Sequence, residues 1–381
     1  MRFFNARILG ESGFFTGGFS IQDGKFSELL PGVEQGDGVN LNGQTVLPGL
    51  VDIHIHGSAG EDYSDGDSAG LEKMAHYLAS HGVTSFVPTS MTLPYKMLLD
   101  ALQNAVQLRE RNPAFCARVL GVRMEGPFLS ESKKGSQNAA YLRMPDYEAF
   151  QKLWHSCGGL IRIVDTAPEL PSAAAFIRRA KERCTISVAH TAAVYEEAAA
   201  AFDAGASHLT HLYNAMPPLL HRSPGPIAAA SERENVTTEV ICDGYHVHPA
   251  AIRAAFRLFP GRVCLISDAL RCGGMPEGEY DLSGQRVFLR DGAARLEDGT
   301  LAGSAVNLFD CVKNVIRFGI PPEEAVRSAS LLPAKVIGHS DTVGSIAPGK
   351  YADFLVCDSG GDLNAVYMNG KQLPCRASCN A

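Results

Sequence analysis

The sequence lacks long apolar runs, dense positive charge and paired cysteines. No run is long enough to span a bilayer, and residues 1–13 lack the continuous apolar segment of a secretion signal, so we expect no membrane partner. The net charge of −7 and the lack of any Lys/Arg-rich segment argue against nucleic acid as a partner. The 10 cysteines are scattered without a CxxC pair, which indicates a reduced, cytoplasmic protein.

The two ends of the chain share a β-like pattern. Short apolar runs in residues 1–46 are joined at Asp23-Gly24, and Asn369-Gly370 is a second hairpin signal near the other end. Residues 1–46 show no helical periodicity. We therefore predict one small β-sandwich domain assembled from residues 1–46 and 343–381.

Residues 47–342 have a different pattern, in which short apolar runs alternate with longer amphipathic stretches. This pattern is typical of repeated βα units. The predicted strands are Val51–Ile55, Ser85–Pro88, Val119–Met124, Ile161–Val164, Thr185–Ala189, His208–Thr210, Glu239–Cys242 and Val263–Ser267. The predicted helices are Ser68–Ser80, Tyr95–Arg109, Asp146–Cys157, Ala173–Glu182, Tyr195–Phe202, Pro249–Leu258 and Ala305–Phe318. Such an order favours a (β/α)₈ TIM-type barrel over an open sheet, with Tyr280–Arg295 as a β-hairpin over its mouth.

The first predicted strand carries two histidines that share a face. Side chains two residues apart on a strand point the same way, so His54 and His56 lie side by side at its end. Such a pair forms either half of a metal site or two hydrogen-bonded core histidines. Residues elsewhere in the chain must decide between the two.

Metal-binding residue types also follow other predicted strands. Glu125 follows the third strand, His190 the fifth, His211 the sixth and Asp268 the eighth. A barrel carries its chemistry at the C-terminal ends of its strands, whereas packing there favours apolar residues. The convergence therefore predicts a metal site at the barrel mouth.

The predicted ligands suit a divalent metal that can activate water. Imidazole and carboxylate donors without thiolates fit zinc, iron, manganese or cobalt, and we expect zinc or iron. Glu125, His190 and His211 can make one site with an open position for water. His54, His56 and Asp268 can make a second site with Glu125 as a bridge, which gives one or two ions per subunit. A metal-bound water ionises near neutral pH, and Asp268 is the candidate to move its proton.

The chain also resembles a known family. Residues 48–57 are similar to the first-strand motif of the amidohydrolase superfamily, and residues 343–356 are similar to its return into the β-sandwich. The resemblance narrows to the N-acetylglucosamine-6-phosphate deacetylase family and covers nearly the whole chain in the expected order. The strings that carry it are Glu125-Gly126-Pro127-Phe128, Lys134-Gly135-Ser136-Gln137-Asn138, Ala189-His190-Thr191, Thr210-His211-Leu212-Tyr213-Asn214-Ala215-Met216, Asp243-Gly244-Tyr245-His246-Val247, Ser267-Asp268-Ala269 and Thr300-Leu301-Ala302-Gly303-Ser304.

The resemblance implies metal-dependent hydrolysis of the acetamide of N-acetylglucosamine 6-phosphate to glucosamine 6-phosphate and acetate. It implies that water activated by the metal attacks, with Asp268 as general base and acid and His246 or the metal stabilising the oxyanion. It also implies a homodimer, because in this family phosphate contacts can cross the subunit interface. The implied substrate-binding positions are Ser136, Gln137, Asn214, Ala215, Arg222, His246, Leu301, Ala302 and Gly303, with Arg222 on the phosphate.

One residue departs from the family pattern, and other functions stay open. Gln137 stands where family members commonly carry a histidine, which bears on the phosphate contact and not on the hydrolytic chemistry. One alternative is another amidohydrolase that acts on a related N-acyl amino sugar. A cyclic-amide hydrolase is disfavoured, because no lysine stands at a strand end to bridge two metals. The other alternative is a non-catalytic relative that binds a sugar phosphate.

Overall fold

The central part of the chain is a closed barrel of parallel strands, as predicted. The computed structural model describes residues 1–374, so Cys375 and Cys379 lie outside the described residues. The strands follow one another in chain order around the barrel. They are Leu50–Ile55, Val83–Ser90, Arg118–Val119 continued by Val122–Phe128, Ile161–Thr166, Thr185–Val188, His208–Leu209, Thr237–Ile241 and Val263–Ile266.

Backbone hydrogen bonds between the C-terminal end of the first strand and the residues that follow the eighth strand close the barrel at its mouth. The Asp268 N–H donates to the His54 carbonyl at 2.9 Å, and the His56 N–H donates to the Ala269 carbonyl at 2.9 Å. Closure therefore fixes the His54–His56 pair next to Asp268, although more than 200 residues separate them in the chain.

Helices cover the outside of the barrel. The helix Ser68–Ser80 begins at Asp67, whose carboxylate caps the N–H groups of Ala69 and Gly70, and it buries an apolar stripe that includes Leu71 and Leu78. The α-helices are Ser68–Ser80, Tyr95–Arg111, Tyr147–Ser156, Ala173–Ala180, Tyr195–Ala204, Gly225–Ser231, Pro249–Leu258, Leu308–Arg317, Pro322–Ser328 and Leu331–Val336. Gly225–Ser231 and the last two helices were not predicted, because helices of six or seven residues are too short to show a clear amphipathic pattern. Among residues 1–374, no helix combines the length and the apolar character that a membrane span requires.

The two ends of the chain form one eight-stranded sheet, which confirms the predicted β domain. Phe354–Cys357 pairs antiparallel with Thr45–Pro48 and joins the two ends. The rings of Phe3, Phe19 and Phe354 lie 5.0–5.2 Å apart in the core of this domain. The sheet's N-terminal part extends to Pro48, just past the expected boundary at residue 46. Its strands are Arg2–Gly10, Gly13–Gln22, Lys25–Pro31, Val39–Asn40, Thr45–Pro48, Phe354–Cys357, Leu363–Met368 and Lys371–Gln372.

The insertion after the eighth barrel strand is a four-stranded antiparallel sheet, so the predicted β-hairpin is wrong in extent. A turn at Asp298-Gly299 adds a strand beyond Tyr280–Arg295, the segment predicted as the hairpin. This extra strand brings Leu301–Gly303 to the barrel mouth, where the Ser136 hydroxyl donates to the Ala302 carbonyl at 3.1 Å. The strands are Gly278–Leu282, Gln285–Arg290, Ala293–Leu296 and Leu301–Gly303.

Candidate metal centre and active site

Glu125 lies at the centre of a buried histidine cluster at the barrel mouth. Its Oε1 atom is 3.1 Å from His190 Nε2 and 3.2 Å from His211 Nε2. The same oxygen is 3.3 Å from His54 Nε2, and the other oxygen, Oε2, is 3.1 Å from His56 Nε2. The structure thus brings together five of the predicted metal ligands from four strand ends.

Asp268 completes the cluster from the eighth strand. Its Oδ1 atom lies 3.4 Å from His54 Nε2 and 3.3 Å from His56 Nε2. Asp268, His190 and His211 have φ angles of +47°, +42° and +24°, in the left-handed region that non-glycine residues avoid. Such conformations cost about 1–3 kcal/mol each, and they persist where the surrounding structure holds side chains for a task.

The outer nitrogen atoms of three histidines have fixed acceptors. His54 Nδ1 faces Glu239 Oε2 at 3.1 Å, His56 Nδ1 donates to the Thr89 carbonyl at 3.1 Å, and His190 Nδ1 donates to the Lys133 carbonyl at 2.8 Å. This arrangement turns the Nε2 lone pairs toward Glu125, as in metal sites whose ligands are oriented by outer partners.

The donor set fits a divalent metal. Within residues 1–374, His54 Nε2 is buried without a hydrogen-bond partner although two carboxylates lie beside it. Two groups have ligand atoms that all lie within 4.8 Å of one another, namely His54, His56 and Glu125, and Glu125, His190 and His211. A cation satisfies these converging lone pairs and carboxylates, which would otherwise repel one another.

The cluster keeps its carboxylates ionised. Burial opposes ionisation of Glu125, but His54, His190 and His211 hold its pKa well below the usual range. Burial likewise opposes ionisation of Asp268, but His54 and His56 lower its pKa. Both groups are therefore anionic near neutral pH, as ligation or proton acceptance requires.

A buried ion network fills the barrel interior beneath this cluster. Arg123, which is fully buried, donates to Asp165 Oδ1 at 2.9 Å and to Thr210 Oγ1 at 2.8 Å, and it pairs with Glu239. Burial raises the pKa of Glu239, but Arg123 and His208 bring it well below the usual range. Sequence reasoning missed this network. The available signal was the presence of Arg123 and Glu239 inside predicted apolar strands.

A cavity of about 370 Å³ opens over the cluster. His246 lines it and is fixed by Asp243, because its Nδ1 atom is 2.6 Å from Asp243 Oδ2. Burial opposes protonation of His246, but Asp243 raises its pKa overall. The other predicted substrate-binding residues that line this cavity are Ser136, Asn214, Ala215, Leu301, Ala302 and Gly303.

Two predicted substrate residues lie elsewhere. Gln137 is buried and does not line the cavity. Its Nε2 donates to Glu125 Oε2 at 2.6 Å, and its Oε1 accepts from the Thr92 N–H at 2.7 Å. The Gln137 carboxamide thus hydrogen-bonds to Glu125 in this structure and is not exposed to the cavity. Arg222 is exposed and does not line the cavity of its own chain.

A larger cavity lies outside the barrel and contains none of the cluster. It measures about 720 Å³ and is lined by apolar groups such as Phe128, Phe150 and Phe176 from the barrel wall and the covering helices. Among residues 1–374, none of the groups of converging metal-ligand side chains lies in this cavity. The smaller cavity is therefore the candidate active site, because the metal-ligand side chains line it and cavity volume alone does not indicate reactivity.

A third group of metal-ligand types lies on the outside of the barrel. It comprises Glu72, His76 and Cys116. Glu72 is already paired with Arg111 at 2.6 Å, and burial raises the pKa of Cys116 to about 12. Both features oppose metal binding, because the ligands would have to give up an ion pair and lose a tightly held proton.

Comparisons with known proteins identify a family with this fold. The sequence model of the Amidohydrolase family matches residues 45–373. The chain is 39% identical to N-acetylglucosamine-6-phosphate deacetylase of Bacillus subtilis (strain 168) over 82% of this chain and 81% of that protein. It is 36% identical to N-acetylgalactosamine-6-phosphate deacetylase of Escherichia coli O157:H7 over 86% of this chain and 87% of that protein.

A solved structure is similar over almost its entire length. A mutant N-acetyl-D-glucosamine-6-phosphate deacetylase from Mycobacterium smegmatis, in complex with N-acetyl-D-glucosamine-6-phosphate, matches with a TM-score of 0.92 at 30% identity and covers 98% of each chain. The barrel and the terminal β domain thus occur together in a protein with closely similar architecture. The chain belongs to the amidohydrolase family and, within it, to the family of N-acetylglucosamine-6-phosphate deacetylases.

Proposed function

We propose that this chain hydrolyses N-acetylglucosamine 6-phosphate to glucosamine 6-phosphate and acetate. The observation that carries the proposal is the convergence of His190 and His211 on one oxygen of Glu125, with Asp268 beside them in an open cavity. Relatives at 36–39% identity are deacetylases of N-acetylhexosamine 6-phosphates, which supports the same chemistry here.

Asp268 moves the proton in the proposed reaction. Glu125, His190 and His211 would hold a divalent ion, which would act as a Lewis acid and lower the pKa of a water molecule. Asp268 is ionised because its pKa is lowered, so it accepts the proton of the attacking water. A carbon–oxygen bond forms, the carbon–nitrogen bond breaks, and Asp268 returns the proton to the departing amine. His246 donates a hydrogen bond to the oxyanion from its position against Asp243.

Zinc or iron is the proposed metal, with one or two ions in each subunit. The nitrogen and oxygen donors of the cluster suit either metal. His54, His56 and Asp268 are the proposed ligands of the second ion, with Glu125 shared between the two positions.

The proposed substrate site spans two subunits. Backbone and side-chain groups of Asn214, Ala215 and Leu301–Gly303 line a cavity whose volume lies in the range of about 300–1,000 Å³ that small-molecule sites occupy. Arg222 is exposed beside Leu219 and Leu220, which are 47% and 52% exposed. We propose that this loop packs against a second copy of the chain in a homodimer. The Arg222 guanidinium then binds the 6-phosphate of the substrate in the other subunit's cavity.

A cytoplasmic location is part of the proposal. All eight cysteines among the described residues are free thiols, and seven of them are buried. Free thiols are typical of a reducing compartment, and the proposed sugar-phosphate substrate carries charge that keeps it inside cells.

The 4-epimer of the sugar is the second candidate substrate. The relative that acts on N-acetylgalactosamine 6-phosphate supports it, since that relative matches over most of both chains. The reacting acetamide is the same in both sugars, so the two candidates share the metal cluster and differ only in contacts to the 4-hydroxyl.

Acetate release tests the proposal. We expect purified protein loaded with zinc or iron to release acetate from N-acetylglucosamine 6-phosphate. Chelation should reduce the rate by about 10²-fold or more and metal should restore it, because the ion generates the nucleophile. N-acetylgalactosamine 6-phosphate, unphosphorylated N-acetylglucosamine and a hydantoin serve as comparison substrates. Unchanged acetate release after verified metal removal would reject the proposal, and preferred turnover of the hydantoin would favour another amidohydrolase activity.

A further inference from the structure

Glu239 stands directly behind the metal cluster and takes no part in the reaction proposed above. It lies on the seventh barrel strand and is fully buried. Its Oε2 atom faces His54 Nδ1 at 3.1 Å and accepts from the His211 N–H at 3.3 Å. Glu239 therefore contacts one residue of each proposed metal position.

The other carboxylate oxygen of Glu239 anchors the side chain in the barrel interior. Oε1 pairs with Arg123 and lies 2.9 Å from His208 Nε2. Arg123 is held in turn by Asp165, with Nη2 at 2.9 Å from Oδ1. A carboxylate without partners is expensive to bury, so its direct partners Arg123 and His208 allow the Glu239 anion to lie behind His54.

His54 differs from its neighbours in the acceptor that it uses. His56 and His190 donate from Nδ1 to the backbone carbonyls of Thr89 and Lys133. Among the cluster histidines in residues 1–374, only His54 has its Nδ1 against a carboxylate. A charged acceptor fixes the tautomer and makes the ring a stronger metal ligand than a carbonyl does.

We infer that Glu239 is a positioning residue that decides whether the second metal position is filled. This inference rests on the proposed metal-dependent function. The second position consists of His54, His56 and Asp268 with Glu125 shared, and Glu239 acts on it through His54. The first position keeps Glu125, His190 and His211, of which Glu239 contacts only the His211 backbone. Loss of the Glu239 charge should therefore weaken the second ion much more than the first.

Metal stoichiometry of Glu239→Gln tests the inference. Wild type and variant are equilibrated with Zn²⁺ at fixed free concentrations, and the ions bound to each chain are counted by mass spectrometry. We expect two ions in wild type. In the variant we expect one ion to bind at wild-type affinity and a second to bind about 10–100-fold more weakly. Metal affinity typically falls by this factor when a ligand histidine loses the group that hydrogen-bonds to its other nitrogen.

Asp165→Asn is the matched control. It makes the same acid-to-amide change in the same buried network, and Asp165 contacts Arg123 and Thr210 but no histidine. We expect Asp165→Asn to bind both ions like wild type. If it loses the second ion as Glu239→Gln does, the effect comes from general damage to the barrel interior and the inference is overturned.

A measurement on the wild-type protein covers the case in which Glu239→Gln does not fold. In ¹⁵N-histidine NMR spectra of the Zn²⁺-loaded chain, we expect His54 to be metal-bound at Nε2 and to carry a proton on Nδ1. Its resonances are assigned by their absence from the spectrum of His54→Gln. A His54 that carries no metal at Nε2, or no proton on Nδ1, would overturn the inference.

The results separate this inference from the proposed function. A wild type that releases acetate with a single ion and an unliganded His54 overturns the inference alone. The same holds if Glu239→Gln keeps both ions at wild-type affinity. A wild type that binds no ion and releases no acetate overturns both.

Discussion

Asp268→Asn is expected to lower the rate of acetate release by about 10²–10⁴-fold while the ion held by Glu125, His190 and His211 stays bound. Asparagine keeps the oxygen that faces His54 and His56 at 3.3–3.4 Å, so the cluster retains its geometry. It cannot accept a proton from the attacking water or return one to the amine. Steady-state acetate release and metal analysis of the same sample measure the two effects separately.

Asp203→Asn is the control for this variant. Asp203 pairs with Arg233 on the outer surface and does not line the cavity. We expect it to change the rate less than twofold, as exposed ion pairs contribute little. A near-wild-type rate for Asp268→Asn would remove Asp268 from the proton-transfer role.

Glu125→Gln is expected to abolish activity by removing metal from both positions. One Glu125 oxygen faces His190 and His211, and the other faces His56, so its charge contributes to both groups of ligands. Loss of a group that only hydrogen-bonds to a metal ligand already lowers metal affinity by about 10–100-fold. Loss of an anionic ligand that both ions share should lower the affinity further. We expect metal content near zero after dialysis and a rate similar to that of chelated wild type.

Glu131→Gln makes the same change in the loop that follows the third strand. Glu131 is exposed and contacts no cluster residue, so metal content and rate should match wild type. If Glu125→Gln keeps both ions at wild-type affinity, Glu125 is not the shared ligand, and the proposed arrangement of the centre is wrong.

The sequence was sufficient to predict the residues that form the cluster. Alternation of apolar and polar residues showed that His54 and His56 share a face, and this depends only on the geometry of a strand. The positions of Glu125, His190 and Asp268 followed from the rule that parallel strands end at one rim of the barrel. Such local and topological rules do not require knowledge of any side-chain contact.

Other features depend on contacts that a sequence does not specify. Gln137 lies in a loop, where no periodicity shows which way a side chain points. Only the family motif indicated that Gln137 contacts the substrate. In the structure its carboxamide binds Glu125. The network of Arg123 and Glu239 joins strands that are 116 residues apart in the chain, so its ion pair follows only from the closed barrel. Arg222 is exposed and its own chain does not bring it to the cavity, which no pattern in the sequence indicates.

Anomalous X-ray diffraction at the absorption edge of the bound metal tests the central claim most directly. We predict a strong anomalous peak between Glu125, His190 and His211, at about 2.0–2.2 Å from their Oε and Nε2 atoms, in crystals of protein that releases acetate. An active, metal-loaded protein with no peak at this position, or with its only peak elsewhere, would contradict the account.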